Sequence, residues 1–514
     1  MSTQDQGPGS APRTFPRGLR SRALSLGLGL ALALPACGAG DEPQPTPMDP
    51  EAGFLDVRAS AVVGPDYPAR MFYSFRPRDL DPEHAPLAVF FNGGPGAATS
   101  GVLMAYGTGP KTLDPHGAVD QPPIDNPASW TRFANLLYLD ERQAGFSHGV
   151  GEAGACQLGP AIFTSDAAEF LGALLDFLDA HPALRANPVV IVGESFGGIR
   201  STMMLHLLQT YAGDPDGPIP DLPDVAVQVP WLKDRIQAHF DAVAGHPAGA
   251  QSPKEVARQF GTQVLIQPDI AGRLQHDVAQ PLAQQDPDLI AYYADPESPE
   301  GQAAKAQAEA DLRAGEHAAQ QIRDPAGFEA LVGVAPEAVV GLGPKTRGSS
   351  FRVFLAEDAA TLAEKEAALR GKLGDLGADD AYWMPYAPAC QGGEIGEITG
   401  DQRTAIAFLR LLRRTATFIT DARFDGVVYS EGLPALFGMA SLDVTIDRTV
   451  PAGAARPGEL RFHNYVDPET GATLPLSIRF PLYDAYHEVS VGAPVPFAED
   501  VEAWLRATAL PGAY

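Results

Sequence analysis

The sequence predicts an α/β fold, a central and mostly parallel sheet with covering helices, and three stretches carry that prediction. Residues 87–91 (Leu-Ala-Val-Phe-Phe) and 136–139 (Leu-Leu-Tyr-Leu) are short uninterrupted apolar runs, the pattern of strands buried on both faces. Residues 189–192 form a third run, followed at once by Gly193-Glu194-Ser195-Phe196-Gly197 and then by a Met- and Leu-rich segment, 199–211, that reads as a helix. Strand, tight glycine turn and helix in that order make a nucleophile elbow. The glycines allow a strained turn that presents Ser195 at a strand end, where a neighbouring base can take its proton.

Composition narrows the function. With 64 acidic against 37 basic residues the formal charge is −27, so nucleic-acid phosphate would be repelled over most of the surface, and no basic patch offsets this. Three cysteines without a CxxC pair or His-rich spacing build neither a disulfide scaffold nor a metal site, and no cofactor is expected. A length of 514 residues suits one α/β core carrying a long insertion.

At the start, Arg13, Arg17, Arg20 and Arg22 precede an apolar run, 23–34, too short to span a bilayer. Residues 1–36 read as a cleaved export signal. Leu34-Pro35-Ala36-Cys37 resembles a bacterial lipoprotein cleavage box, which makes Cys37 the acylated first residue of a membrane-anchored protein, periplasmic or on the cell surface. The alternative is ordinary cleavage near Ala36. Residues 37–52, rich in Pro and acid, read as a tether.

The first part of the core is expected over 53–212. It opens with strands at 57–63 and 69–75 around a Gly64-Pro65-Asp66 turn. The strand at 87–91 runs directly into Asn92-Gly93-Gly94-Pro95-Gly96, where glycines permit close approach to a ligand and aim N–H groups at it, as an oxyanion hole requires. A turn at Asn126-Pro127-Ala128-Ser129-Trp130 follows, then a helix at 167–180 capped by Ser165-Asp166. Residues 213–400, rich in Ala, Gln, Asp, Glu and Pro, read as a mostly helical cap insertion with helices near 230–244, 302–322 and 356–373. The core resumes over 401–514 with a helix at 404–414, strands at 415–420 and 476–482, and a closing helix at 498–508.

An elbow serine needs an imidazole and an orienting carboxylate, which in the α/β-hydrolase fold follow it in the order Asp or Glu, then His. His487 alone among eleven histidines lies between a last strand and a last helix. Asp425, where the loop after strand 415–420 bends back, is the preferred acid. Asp421 at the strand tip and Glu431 remain alternatives.

Together, Asn92–Gly96, the stretch from Asn126-Pro127 to Gly149 and Gly193–Gly198 resemble the serine carboxypeptidase family, over most of 69–212 and more weakly over 401–510. The resemblance implies an α/β-hydrolase acting on peptides, with Ser195 as nucleophile, His487 as base and Asp425 as acid. It further implies backbone N–H groups of Gly94 and Phe196 as oxyanion donors, and Asn92 and Glu194 as the grip on the substrate's terminal carboxylate. Glu194 can donate to that carboxylate only when protonated, so binding should favour acidic pH. The chain departs from the family at Phe90, at Ala97-Ala98-Thr99, at Gly107-Thr108-Gly109-Pro110, which lacks an acidic residue, and at Tyr486 before the histidine. An esterase or acyltransferase on the same triad, or an inactive peptide-binding lipoprotein, are the alternative functions. If the protein is exported, Cys156 and Cys390 are expected to pair.

Overall fold

Six parallel strands form the centre of an 11-stranded sheet. The computed structural model describes residues 48–58, 68–142, 144–149, 162–219, 229–243, 253–270, 297–340, 402–422, 424–425, 427–428, 446–447, 458–466 and 473–510. The strands of this sheet are β1 (Glu51–Arg58), β2 (Pro68–Arg76), β3 (Leu87–Phe91), β4 (Asn135–Leu139), β5 (His148–Gly149), β6 (Val189–Glu194), β7 (Thr262–Ile266), β8 (Ala416–Ala422), β9 (Ile446–Asp447), β10 (Gly458–Val466) and β11 (Thr473–Tyr483). The order across the sheet is β1-β2-β4-β3-β6-β7-β8-β11-β10-β9, with β5 beside β2. Strands β4, β3, β6, β7, β8 and β11 run parallel, and the flanking strands pair antiparallel. This is the α/β-hydrolase fold expected from the sequence.

Both faces of the sheet are covered, which is why its strands read as unbroken apolar runs. Phe90, Leu136, Tyr138, Val190 and Val192 join one core. Val89, Phe91, Leu137, Val189 and Ile191 join the other, against helices α1 (Ile162–Ala180) and α2 (Gly197–Thr210). Alternation of side chains along each strand divides them between the two faces. Trp130, fully buried, sits 5.2–5.3 Å by ring centroid from Phe90, Phe133 and Phe497, and so ties the middle of the chain to the closing helix Pro494–Trp504.

Several expectations are revised. The opening strand is Glu51–Arg58, ahead of the expected 57–63, and its start takes in the last residues assigned to the tether. Helix α1 begins at Ile162, so Ser165 and Asp166 lie within it and do not cap it. The insertion does not begin at 213. Helices α3 (Pro230–Ala242) and α4 (Pro253–Phe260) lead into β7, which lies between β6 and β8 in the middle of the sheet. A five-residue strand set in an Ala- and Gln-rich stretch has no periodicity to separate it from helix. Strands β9 and β10 were also missed. Helix α5 (Pro299–Gln321), by contrast, falls where expected, followed by α6 (Pro325–Val332), and helix α7 (Gln402–Leu411) precedes β8. The signal, Cys37, Cys156, Cys390, Glu431 and the helix at 356–373 lie outside the described residues. Among the described residues no helix is long and apolar enough to cross a membrane, and no cluster of side chains could hold a metal ion.

Candidate active site

Ser195 follows β6 with φ +54°, a left-handed backbone that a non-glycine residue takes only when its surroundings impose it. Three backbone hydrogen bonds do so: Ser195 N–H donates to Ile266 O (2.9 Å), while Ser195 O accepts from Gly198 N–H (2.8 Å) and Asp269 N–H (3.0 Å). The tip of β7 therefore braces the elbow. Ser195 is only 8% exposed, less open than a simple strand-end turn suggests.

The loop after β3 presses on this turn. A Cβ built on Gly93 would lie 2.5 Å from Phe196 N and 2.8 Å from Ser195 Cβ, so only glycine fits there. Gly94 and Gly96 take φ +109° and +102°. The expected oxyanion donors, Gly94 and Phe196, thus lie on two backbone segments that touch beside Ser195.

Asn92 and Glu194 meet directly. Asn92 Nδ2 donates to Glu194 Oε2 at 2.9 Å and Gly93 N–H donates to the same oxygen at 3.1 Å, with both residues buried. Asn92 Oδ1 accepts from Leu103 N–H at 3.3 Å, which fixes the amide's orientation.

His487 Nδ1 lies 3.0 and 3.1 Å from the two oxygens of Asp425. Asp425 is 3% exposed and its Oδ1 also accepts from the N–H groups of Val427 (2.8 Å) and Val428 (3.1 Å). Asp421 lies within β8, in register with Leu482 of β11. His487 Nε2 lies 2.9 Å from Glu194 Oε1, an ion-pair contact without the alignment of a hydrogen bond. Among the described residues no hydrogen bond joins Ser195 Oγ to His487. Burial works against the imidazolium, but the hydrogen-bonded carboxylate of Asp425 and the nearby charge of Glu194 outweigh it and hold the histidine well above its ordinary value.

Sequence reasoning missed two further carboxyls. Asp311, on α5, accepts from Glu488 N–H at 3.2 Å. Burial pushes Asp311 up to about 7, against the pull of His487. Burial and Glu194 likewise raise Glu488. Four carboxyls therefore surround one imidazole.

A buried charge cluster was missed as well. Arg200, on α2 and 0% exposed, donates from Nε to Asp166 Oδ2 (2.6 Å) and from Nη2 to Glu141 Oε2 (2.6 Å), while Arg142 pairs with Glu169 (2.8 Å). Two cations face three carboxylates, and burial with the nearby Asp166 pushes Glu141 up to about 7 despite Arg200.

Asn92, Glu194, His487 and Asp425 thus meet from distant parts of the chain, with Ser195 next in sequence to Glu194. Residues 41–273 match the serine carboxypeptidase family. The matching segment holds Asn92, Glu194 and Ser195, while Asp425 and His487 lie beyond it. Serine carboxypeptidase-like 10 of Arabidopsis thaliana is 27% identical over 156 residues, 30% of this chain and 33% of that protein. The vacuolar serine-type carboxypeptidase ATG42 of Saccharomyces cerevisiae is 31% identical over 156 residues, 30% of this chain and 27% of that protein. The chain spans about a third of the length of the curated relatives it matches. A crystal structure of a prohormone-processing carboxypeptidase from Saccharomyces cerevisiae aligns with TM-score 0.49 and 13% identity, covering 88% of this chain and 90% of that one.

Proposed function

We propose that the protein is a serine carboxypeptidase that removes C-terminal residues from peptides through an acyl-enzyme on Ser195. The observation that carries this reading is the pair of donors, Asn92 Nδ2 and Gly93 N–H, already converged on a carboxylate one residue from the strained serine. An amide and a carboxyl held together in this way, the carboxyl protonated, can both donate to a peptide's terminal carboxylate lying beside them, which sets the last peptide bond over Ser195.

In the reaction, Ser195 Oγ attacks the scissile carbonyl carbon and its proton passes to His487 Nε2, which turns from Glu194 to reach it. The carbonyl oxygen takes the electron pair and rests on the N–H groups of Gly94 and Phe196. Asp425 keeps Nδ1 protonated and the ring oriented. Collapse expels the terminal amino acid as its nitrogen takes the proton from Nε2. Water, deprotonated by the same histidine, then releases the shortened peptide.

A fluorophosphonate probe, followed by mass analysis of peptide products, tests this. The expected result is labelling of Ser195 and stepwise loss of C-terminal residues from free-acid peptides, with C-terminal amides resistant. Equal turnover of acid and amide, or ester turnover alone, supports the esterase reading. Absence of labelling supports a binding protein.

Export with lipidation at Cys37 and a Cys156–Cys390 disulfide belong to the same proposal, supported by the sequence pattern. Intact mass of the membrane fraction tests both: an acylated N-terminus at Cys37 and no reactive thiols are expected, and a free Cys156 or Cys390 refutes the pairing.

A further inference from the structure

The loop that carries the Gly94 donor contains three glycines and has little conformational preference of its own, yet both its ends converge on one buried guanidinium. Arg200 Nη1 donates to Asn92 O at 2.7 Å. Arg200 Nη2 donates to Glu141 Oε2 at 2.6 Å, and that oxygen accepts from Gly96 N–H at 2.8 Å. Nε and Nη2 are fixed from behind by the two oxygens of Asp166, at 2.6 and 3.1 Å. The guanidinium carbon lies 4.2 Å from the Phe170 ring centroid, so the plane is held on its face as well as its edge. We propose that Arg200, acting with Glu141, is a positioning residue that presets the Asn92–Gly96 loop so that Gly94 N–H meets the developing oxyanion; this rests on the reading of Ser195 as a nucleophile.

The physical need is specific. Donors stabilise a transition state only if they need not reorganise as charge develops, and a glycine-rich loop without restraint would have to. A planar fork with separate N–H groups can reach Asn92 O, Glu141 and Asp166 at once. A lysine ammonium is a point charge on a flexible stem and cannot hold the same three positions. The charge-rich cluster is an expensive way to fill a core, since a hydrophobic replacement of a buried ion pair is often no less stable. Its two loop contacts give that expense a function.

The test compares Arg200→Lys, Glu141→Gln and, as a control, Glu169→Gln, which breaks the Arg142 pair and touches neither end of the loop. Three quantities are measured: steady-state kinetics per fluorophosphonate-titrated site, affinity for a peptidyl boronic acid, whose boron adds to Ser195 Oγ to give a tetrahedral oxygen adduct, and amide hydrogen exchange over 92–96. Arg200→Lys is expected to lower kcat about 10- to 100-fold with KM within a few-fold, to weaken boronate binding by the same factor as kcat/KM, and to speed exchange in the loop. Glu141→Gln should act in the same direction and less. Glu169→Gln should lower the melting temperature and leave per-site kcat, boronate affinity and loop exchange at wild-type values. If Arg200→Lys does not fold, Glu141→Gln carries the same three readouts. The proposal is overturned if the folded loop variants keep wild-type boronate affinity and exchange, or if Glu169→Gln matches Glu141→Gln. A wild-type protein that takes up neither probe refutes the nucleophile reading, whereas loop exchange still judges the tether.

Discussion

Asn92, Gly94 and Ser195 sit at the tips of β3 and β6, one to three residues beyond the apolar runs that position them. His487 and Asp425 meet from loops 62 residues apart, after β8 and β11, and α5 reaches over through Asp311 to hold the next backbone N–H. In the first region the reagent is largely backbone, so glycine placement and strand ends suffice to define it. In the second the reagent is a pair of side chains whose meeting depends on packing between distant segments. Loss of Ser195 or of His487 should abolish chemistry, while changes at the carboxyls packed around His487 should grade it and move its pH dependence.

The largest effects are expected at the two proton-transfer partners. Ser195→Ala and His487→Ala should each lower kcat by about 10⁵- to 10⁶-fold while circular dichroism and the thermal transition persist. Near-normal turnover in either would remove the residue from the triad. Asp425→Asn is expected to cost about 10⁴-fold, because the amide favours the wrong imidazole tautomer, with Asp421→Asn mild. The reverse ranking in kcat would move the assignment.

The pH profile separates the regions more finely. Asp425, Glu194, Asp311 and Glu488 all face His487, and the first two hold its pKa well above the ordinary histidine value. A base must be neutral to accept a proton, so probe labelling of Ser195 should rise with pH and its acid limb should lie above about 6.5. Glu194→Gln removes the anion 2.9 Å from Nε2, so the limb should move to lower pH. A limb that moves upward or stays fixed in the labelling-rate profile would contradict the contact. Asp311→Asn should move it in the same direction and less, since its carboxyl, pushed up to about 7, is only partly ionised there. A shift exceeding that of Glu194→Gln would place Asp311 nearer the chemistry.

The same contrast explains what the sequence revealed. Leu87–Phe91, Asn135–Leu139 and Val189–Glu194 were legible because strands covered on both faces must be apolar throughout. Asp425 was legible from its distance past a strand. Strand β7 was not, because Gln263 interrupts its apolar run; inside the sheet its amide donates to Thr417 Oγ1 at 3.0 Å. Arg200 and Glu141 resemble surface charges until three dimensions bring them under the loop. Asp311 acts on a site 177 residues away, and nothing local announces such a contact.

The central claim is that Ser195 attacks the last peptide bond of a chain with a free carboxylate. Acid-quenching the enzyme during turnover of such a peptide, then mapping the mass adduct by digestion, addresses it directly. The expected adduct is an acyl group on Ser195 equal to the peptide without its C-terminal residue, present in wild type, absent in Ser195→Ala and absent when the substrate is amidated. An adduct on another residue, or one that corresponds to cleavage inside the peptide, would contradict it.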